Sequence, residues 1–307
     1  MIVVFGSINI DVVMRVDSLP QPGQTVLCGD YLATPGGKGA NAAVAAARAG
    51  SAVAFYGKVG DDVFAGPALA MLREANVDLG GVERSEHPTG CGSVWVDSGG
   101  ENVIVVASGA NMDARAERVP DSVLGPGGIV VLQLEVTPAQ NWAMVERASR
   151  RGARILLNAA PAGATPESVL RAIDVLVVNE VEAMAIAAQT GLGENRPDRV
   201  PACLTERYGM TCIVTLGGAG AILSSPEGGL IIAALPVEPV DTTGAGDAFC
   251  GVLAAAMDRR LDWGQALRFA SVGAGLACTR MGAQNSLPDR AQIEARLADL
   301  PEPRRYD

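Results

Sequence analysis

Short apolar runs rich in β-branched residues recur along the chain. They are IVVF at 2–5, AVAFY at 52–56, GIVVLQL at 128–134, ARILLN at 153–158, DVLVVN at 174–179 and TCIVTLG at 211–217. Between several of them lie stretches with helical periodicity, such as DVFAGPALAMLREAN, PAQNWAMVERASRRG and EVEAMAIAAQTG. Strands that are apolar on every position, alternating with helices, predict a parallel sheet covered on both faces. Ligands of such sheets sit at the carboxyl ends of the strands. This draws attention to NAAP, which follows one strand, and to NEVE, which ends the next.

Two segments break the rhythm. Residues 12–34 and 89–107 read as antiparallel strands joined by Pro/Gly turns, with SGGE at 98–101 as a hairpin signal. Both are inserted between elements of the parallel core, so they predict a small β-sheet lid on one α/β domain spanning 1–307. Within the second segment NVIVVA is apolar on both faces, which suits pairing with the lid of a second copy and predicts a homodimer.

Composition and charge narrow the chemistry. Histidine occurs once, at His87, and the six cysteines form no CxxC pair, which disfavours a structural zinc site and a histidine-based triad. The plain reading of the scattered cysteines is reduced thiols in apolar surroundings. A formal net charge of −10 lacks the basic footprint of a nucleic-acid partner. No apolar stretch is long enough for a membrane span. MIVVFGSINID has neither a basic region nor a cleavage pattern; it reads as a buried strand, and the expected compartment is the cytoplasm.

Three stretches carry candidate chemistry. In PGGKGANAAVAAARAG (35–50), Gly36 and Gly37 permit a tight turn before an alanine-rich helix. It is not a Walker A loop, because Leu32 and Gly39 occupy places that need glycine and Ser/Thr. Lys38 and Asn41 beside exposed amides suggest a polar, hydroxyl-rich ligand instead. DTTGAGDAFCG (241–251) fails the dinucleotide fingerprint, since Phe249 stands where the third glycine belongs. It leaves the amides of Gly244, Ala245, Gly246 and Asp247 at a helix start, a place that favours anions, with a carboxylate beside them. On these residues alone Asp247 is either a helix cap or a base whose pKa the helix end lowers. GSINID (6–11) offers Asn9 and Asp11, as ligands of hydroxyls or as an Asx turn. NEVE sets Asn179 and Glu182 at capping-box spacing, which also suits indirect binding of Mg²⁺ through water.

Taken in order, these stretches resemble the PfkB family of carbohydrate kinases, and within it the ribokinase branch. The resemblance runs nearly end to end: GSINID, PGGKGAN, GKVGDD at 57–62, GENVIVVASGAN at 100–111, NAAPAG, NEVE, TLGGAG, DTTGAGDAF and MGAQNSLP. It implies a ribokinase-like three-layer α/β/α domain with a mainly parallel central sheet and a β-sheet lid that closes on sugar and forms the dimer contact. It implies ATP-dependent phosphorylation of a sugar, with D-ribose as acceptor. Asp247 would be the base and the amides of 244–247 the anion hole. Asn9, Asp11, Gly37, Lys38, Asn41 and Glu135 would meet sugar hydroxyls, and Asn179, Thr215, Gly217, Gly246 and Ser271 would meet ATP. Asn179 and Glu182 would organise Mg²⁺. A K⁺ site would fall on Asp241, Thr243, Ala277, Arg280, Gly282 and Ser286. The chain departs from the branch at Ala42, at Ser271 and at Cys91-Gly92-Ser93, which leaves fructose, another ketose or a nucleoside as alternative acceptors. A sugar-binding regulator without catalysis is the reading from a different class.

Overall fold

The computed structural model describes residues 1–99 and 101–306. Among these, ten strands form the large sheet, in the spatial order Asp78–Ser85, Val53–Gly60, Ile2–Phe5, Ile129–Gln133, Arg154–Asn158, Val175–Asn179, Thr211–Thr215, Ala221–Ser225, Gly228–Ile232 and Arg304–Tyr306. The first seven pair in parallel and the last three antiparallel. The six apolar runs of the sequence are all strands of the parallel part.

Alternation explains why those runs are apolar throughout. Successive residues of a strand point to opposite faces. Ile2, Val4, Ile129 and Val131 belong to one core, under helices Lys38–Arg48, Ala245–Asp258 and Trp263–Ala277. Val3, Phe5, Val130 and Leu132 belong to the other, under Pro138–Arg151, Glu180–Gln189 and Val200–Tyr208. Each face is buried, so most positions are apolar, and the buried polar residues such as Gln133 and Asn158 fall at the carboxyl ends of the strands. One predicted helix is interrupted: within 62–76 the chain forms Ala65–Ala68 and Ala70–Glu74, and Pro67, lacking an N–H, sits in the first.

The inserted segments form a separate four-stranded sheet ordered Tyr31–Gly36, Asn9–Arg15, Gly90–Val96 and Asn102–Ala107. Each segment pairs with itself antiparallel, and the two join through a parallel pairing in which Asn9 faces Gly90 and Asp11 faces Gly92. Gly100, in the SGGE turn, lies outside the described residues. Residues 16–30 carry no strand and form the connection between the two antiparallel strands of the first segment. The cysteines are free, but only Cys212 and Cys250 are fully buried and Cys28 is exposed. That corrects the expectation of apolar surroundings for all of them. No helix among the described residues is long and apolar enough to cross a membrane.

The parallel order brings the strand ends together. Running along the sheet, the ends carry Ser7 and Asn9, then Glu135, Asn158, Asn179 and Thr215, with Gln133 opposite Asn158 and Asn179 opposite Thr215.

Candidate active site

Helix Ala245–Asp258 starts at that edge. Gly244 is its N-cap at φ 76°, in the left-handed region that favours glycine. Asp247, in the first turn, is only 4% exposed, and among the described residues its carboxylate accepts hydrogen bonds from side chains and none from the helix's own N–H groups. Its carboxylate is met by two asparagines from other elements. Asn41 donates from Nδ2 to Oδ2 at 2.9 Å, and Asn158 donates from Nδ2 to Oδ1 at 3.4 Å. The cap reading of Asp247 therefore fails. So does the expected lowering of its pKa: burial pushes it up, and Glu135 adds to this, against the pull of Lys38 and the Asn41 bond. A helix end falls off within a turn, while removing a carboxylate from water acts at full strength.

The four amides are not equivalent. The Ala245 N–H donates to the Thr242 carbonyl at 3.2 Å, closing the turn. Those of Gly244, Gly246 and Asp247 find no acceptor among the described residues. Gly244, Gly246 and Asp247 line a cavity of about 220 Å³ together with Lys38, Asn158, Asn179, Glu182 and Thr215. Gly217 opens an exposed turn beyond Thr215. Ser271 is buried in helix Trp263–Ala277 with an unpartnered hydroxyl, and neither residue is among those lining the cavity.

On the side of the small sheet, carboxylates crowd one ammonium. Lys38 opens helix Lys38–Arg48 after Gly37, whose φ of 90° and closeness to Asn9 leave no room for a side chain. Its pKa is raised, first by Asp247, against burial, and then by Glu135 and Glu182. Glu135 accepts from Ser7 Oγ at 2.6 Å and from the Lys38 N–H at 2.9 Å, both on Oε2. Asp11 is pushed from the ordinary 3.8 to about 7, by burial first and then by Glu135 and Asp247, with Lys38 opposing. A Cβ on Gly36 or Gly92 would overlap the Asp11 carboxylate, so a side chain on either flanking strand would displace that carboxylate. Asn9, 2% exposed, accepts at Oδ1 from Asn111 Nδ2 at 2.7 Å, while Asn111 Oδ1 accepts from the Ile8 N–H. Asn41 Oδ1 is buried without a partner.

Asn179 and Glu182 form the capping box. The Glu182 N–H donates to Asn179 Oδ1 and the Asn179 N–H to Glu182 Oε2, each at 2.9 Å. Burial raises the Glu182 pKa, against the bond from Asn179 and the charge of Lys38. Its other oxygen takes no bond among the described residues. One free carboxylate oxygen among neutral oxygen donors fits a Mg²⁺ that keeps most of its waters.

The residues expected to hold K⁺ lie on two adjoining segments. Val240 and Asp241 N–H groups donate to the Cys278 carbonyl, and Asp241 accepts from the N–H groups of Thr243 and Gly282, each at 2.9 Å. Burial pushes the Asp241 pKa up, but these bonds outweigh it and hold the group below the usual range. The carbonyls of Thr243, Ala277, Arg280 and Gly282 accept no backbone bond among the described residues, while the Ser286 hydroxyl donates to the Ala283 carbonyl. Uncommitted carbonyls beside an ionised carboxylate fit a weakly hydrated monovalent cation.

In the sequence NAAP marks only a strand end, with no role evident for Asn158, and Ser7, Asn111 and Gln133 are equally silent. Their signal was position: each sits at or near the carboxyl end of a parallel strand or inside a quoted motif.

The family model for pfkB family carbohydrate kinases matches residues 1–290. The chain is 32% identical to the ribokinase of Haemophilus influenzae over 292 residues, covering 94% of this chain and 95% of that one. The crystal structure of ribokinase from Thermotoga maritima superposes with a TM-score of 0.89 at 30% identity, covering 97% and 99%. Ribokinase of Arabidopsis thaliana complexed with ribose and ATP superposes with a TM-score of 0.86 at 30% identity, covering 96% and 98%. The fold and these likenesses define a phosphotransferase that takes an alcohol group as acceptor. The chain belongs to the pfkB family of carbohydrate kinases.

Proposed function

We propose that this kinase transfers the γ-phosphoryl group of ATP to the 5-hydroxyl of D-ribose, with Asp247 as the base. The observation that carries the reading is that Asp247 is buried at an amide-rich helix start and is not spent on capping that helix. The complex of the Arabidopsis relative with ribose and ATP supports the choice of acceptor and donor.

The sugar lies between the small sheet and the strand ends. Asn9, Asp11, the Gly37 amide, Lys38 and Glu135 meet its hydroxyls, and the unpartnered Asn41 Oδ1 accepts from one of them. Asp247 takes the proton of the attacking hydroxyl as that oxygen bonds to the γ-phosphorus and the bond to the ADP oxygen breaks. The amides of Gly244, Gly246 and Asp247 and the charge of Lys38 stabilise the phosphoryl oxygens in transit. Asn179, Thr215, Gly217 and Ser271 contact the nucleotide. Asn179 and Glu182 would hold Mg²⁺, which would supply positive charge to the phosphate oxygens. Asp241, Thr243, Ala277, Arg280, Gly282 and Ser286 would hold a monovalent cation, whose charge would steady the loop that enters the helix. The small sheet acts as a lid that excludes water.

The test is ADP release with ribose, fructose, other ketoses and nucleosides, with and without K⁺, for wild type and Asp247→Asn. Ribose is expected to give the highest kcat/KM, with K⁺ raising it, and the variant is expected to lose about 10²–10⁴ in kcat. A variant with near-normal kcat overturns the mechanism; preference for another acceptor overturns ribose alone. No turnover on any acceptor, with sugar-dependent thermal stabilisation, makes the chain a binding regulator.

A further inference from the structure

The two amide donors on Asp247 differ. Asn41 approaches Oδ2 at 2.9 Å, a full hydrogen bond, and it comes from helix Lys38–Arg48, on the sugar side. Asn158 approaches Oδ1 at 3.4 Å, at the long end of the range, and it comes from the last position of strand Arg154–Asn158. Asn158 is 7% exposed, lines the same cavity as Lys38 and Asn179, and sits next to the rigid centre of the sheet. A strand end fixes a side chain more tightly than a loop does.

We infer that Asn158 is a positioning residue: it holds the Asp247 carboxyl in plane with Oδ1 turned to the cavity, so that Oδ1 and not Oδ2 receives the hydroxyl proton. The inference rests on Asp247 being the base. Oδ2 is committed to Asn41 and stays so during the reaction. Oδ1 keeps a lone pair free beside the long Asn158 contact, and that lone pair accepts the sugar O–H as it approaches. In the step, the O–H bond breaks, the proton goes to Oδ1, the sugar oxygen bonds to phosphorus, and ADP leaves with the electron pair of the cleaved P–O bond. The Asn158 N–H also favours the ionised carboxylate at a place where burial favours the neutral one.

The experiment compares wild type, Asn158→Ala, Asn158→Asp and Asp247→Asn by kcat and KM against pH, with thermal melts to confirm folding. For Asn158→Ala, kcat is expected to fall about tenfold to a hundredfold, as for a small misplacement of a reacting group. KM for sugar is expected to stay within about threefold, since ground-state contacts are untouched. The acid limb of the kcat profile moves to higher pH, because the base has lost a donor to its ionised form. In Asn158→Asp it moves further, since a second carboxylate repels the charge on Asp247. A folded Asn158→Ala with the wild-type acid limb and kcat overturns the positioning role. A rise confined to KM for ATP does so too, by making Asn158 a phosphate contact. Either result with an inactive Asp247→Asn leaves the base in place, whereas an active Asp247→Asn overturns the base itself.

Discussion

Asp11 shows what a binding residue costs the ligand-free protein. Its carboxyl titrates near 7 in the folded chain because burial, Glu135 and Asp247 all oppose its charge. The folded pKa lies above the unfolded one, so the folded state binds the proton more tightly. The associated stability is fully present below the ordinary 3.8 and is lost as pH rises through about 7. Asp11→Asn removes the titration. Without ligand, its Tm is expected to match wild type below about pH 4 and to exceed it by a few degrees above pH 7. Melts across that range check this; an equal gain at every pH would show an effect unrelated to the charge. The same variant loses sugar affinity, the usual exchange of stability for function. The residue types of this site were legible in the sequence, since Asn9, Asp11, Lys38, Asn41, Glu135 and Asp247 do converge. Their electrostatics were not, because a pKa depends on how much water and how many like charges the fold leaves around a group. The expectation for Asp247 had only the helix end to reason from. Asn158 was hidden for a related reason: a lone Asn at a strand end has many possible partners until the neighbouring strand and helix are placed.

At the scale of elements, the site depends on how closely two helices pack. Lys38–Arg48 carries Lys38 and Asn41, and Ala245–Asp258 carries Asp247. Their contact is set by small residues: a Cβ on Gly251 would overlap the Ala42 carbonyl and stand 2.6 Å from the Ala45 Cβ. Gly251→Ala gains about 1 kcal/mol of helix propensity and costs about 1–3 kcal/mol of overpacking against a backbone that cannot yield. The clash is expected to win. Tm should fall by a few degrees, and kcat should fall at least about tenfold as the 2.9 Å Asn41–Asp247 bond is stretched. Calorimetry and steady-state kinetics check the pair, and a raised Tm with unchanged kcat would show that the helices do not set the site. Six of the seven parallel strands were readable because both their faces are buried; the edge strand Asp78–Ser85, mostly exposed or half-buried, was not. Gly228–Ile232 and Arg304–Tyr306 were not, since Gly and Arg replace the apolar code toward the sheet's edge, and the buried Ala221–Ser225 was not, since two of its five residues are serine.

At the scale of the whole molecule, the small sheet leaves an edge that water should not keep. Strand Asn102–Ala107 is outermost, and Val103, Ile104, Val105 and Val106 are 43–61% exposed. The opposite edge carries Tyr31 and Leu32, at 69% and 59%. Exposed apolar edges invite pairing with another chain and persist in soluble proteins when a partner covers them. The register sets Val106 beside Gly92 and Asp11, on the face that holds the sugar-binding positions, and turns Val105 to the other face. A second copy seated on this sheet would cover the outer face and stiffen the lid over each site. The wild type is expected to sediment as a dimer at micromolar concentration and Val105→Asp as a monomer. If closure depends on the partner, the monomer keeps its fold and loses sugar affinity more than kcat. Sedimentation of the wild type as a single chain would overturn the pairing. A monomeric Val105→Asp with unaltered KM would separate assembly from closure, because the edge would then serve stability of the lid and not its grip on the sugar.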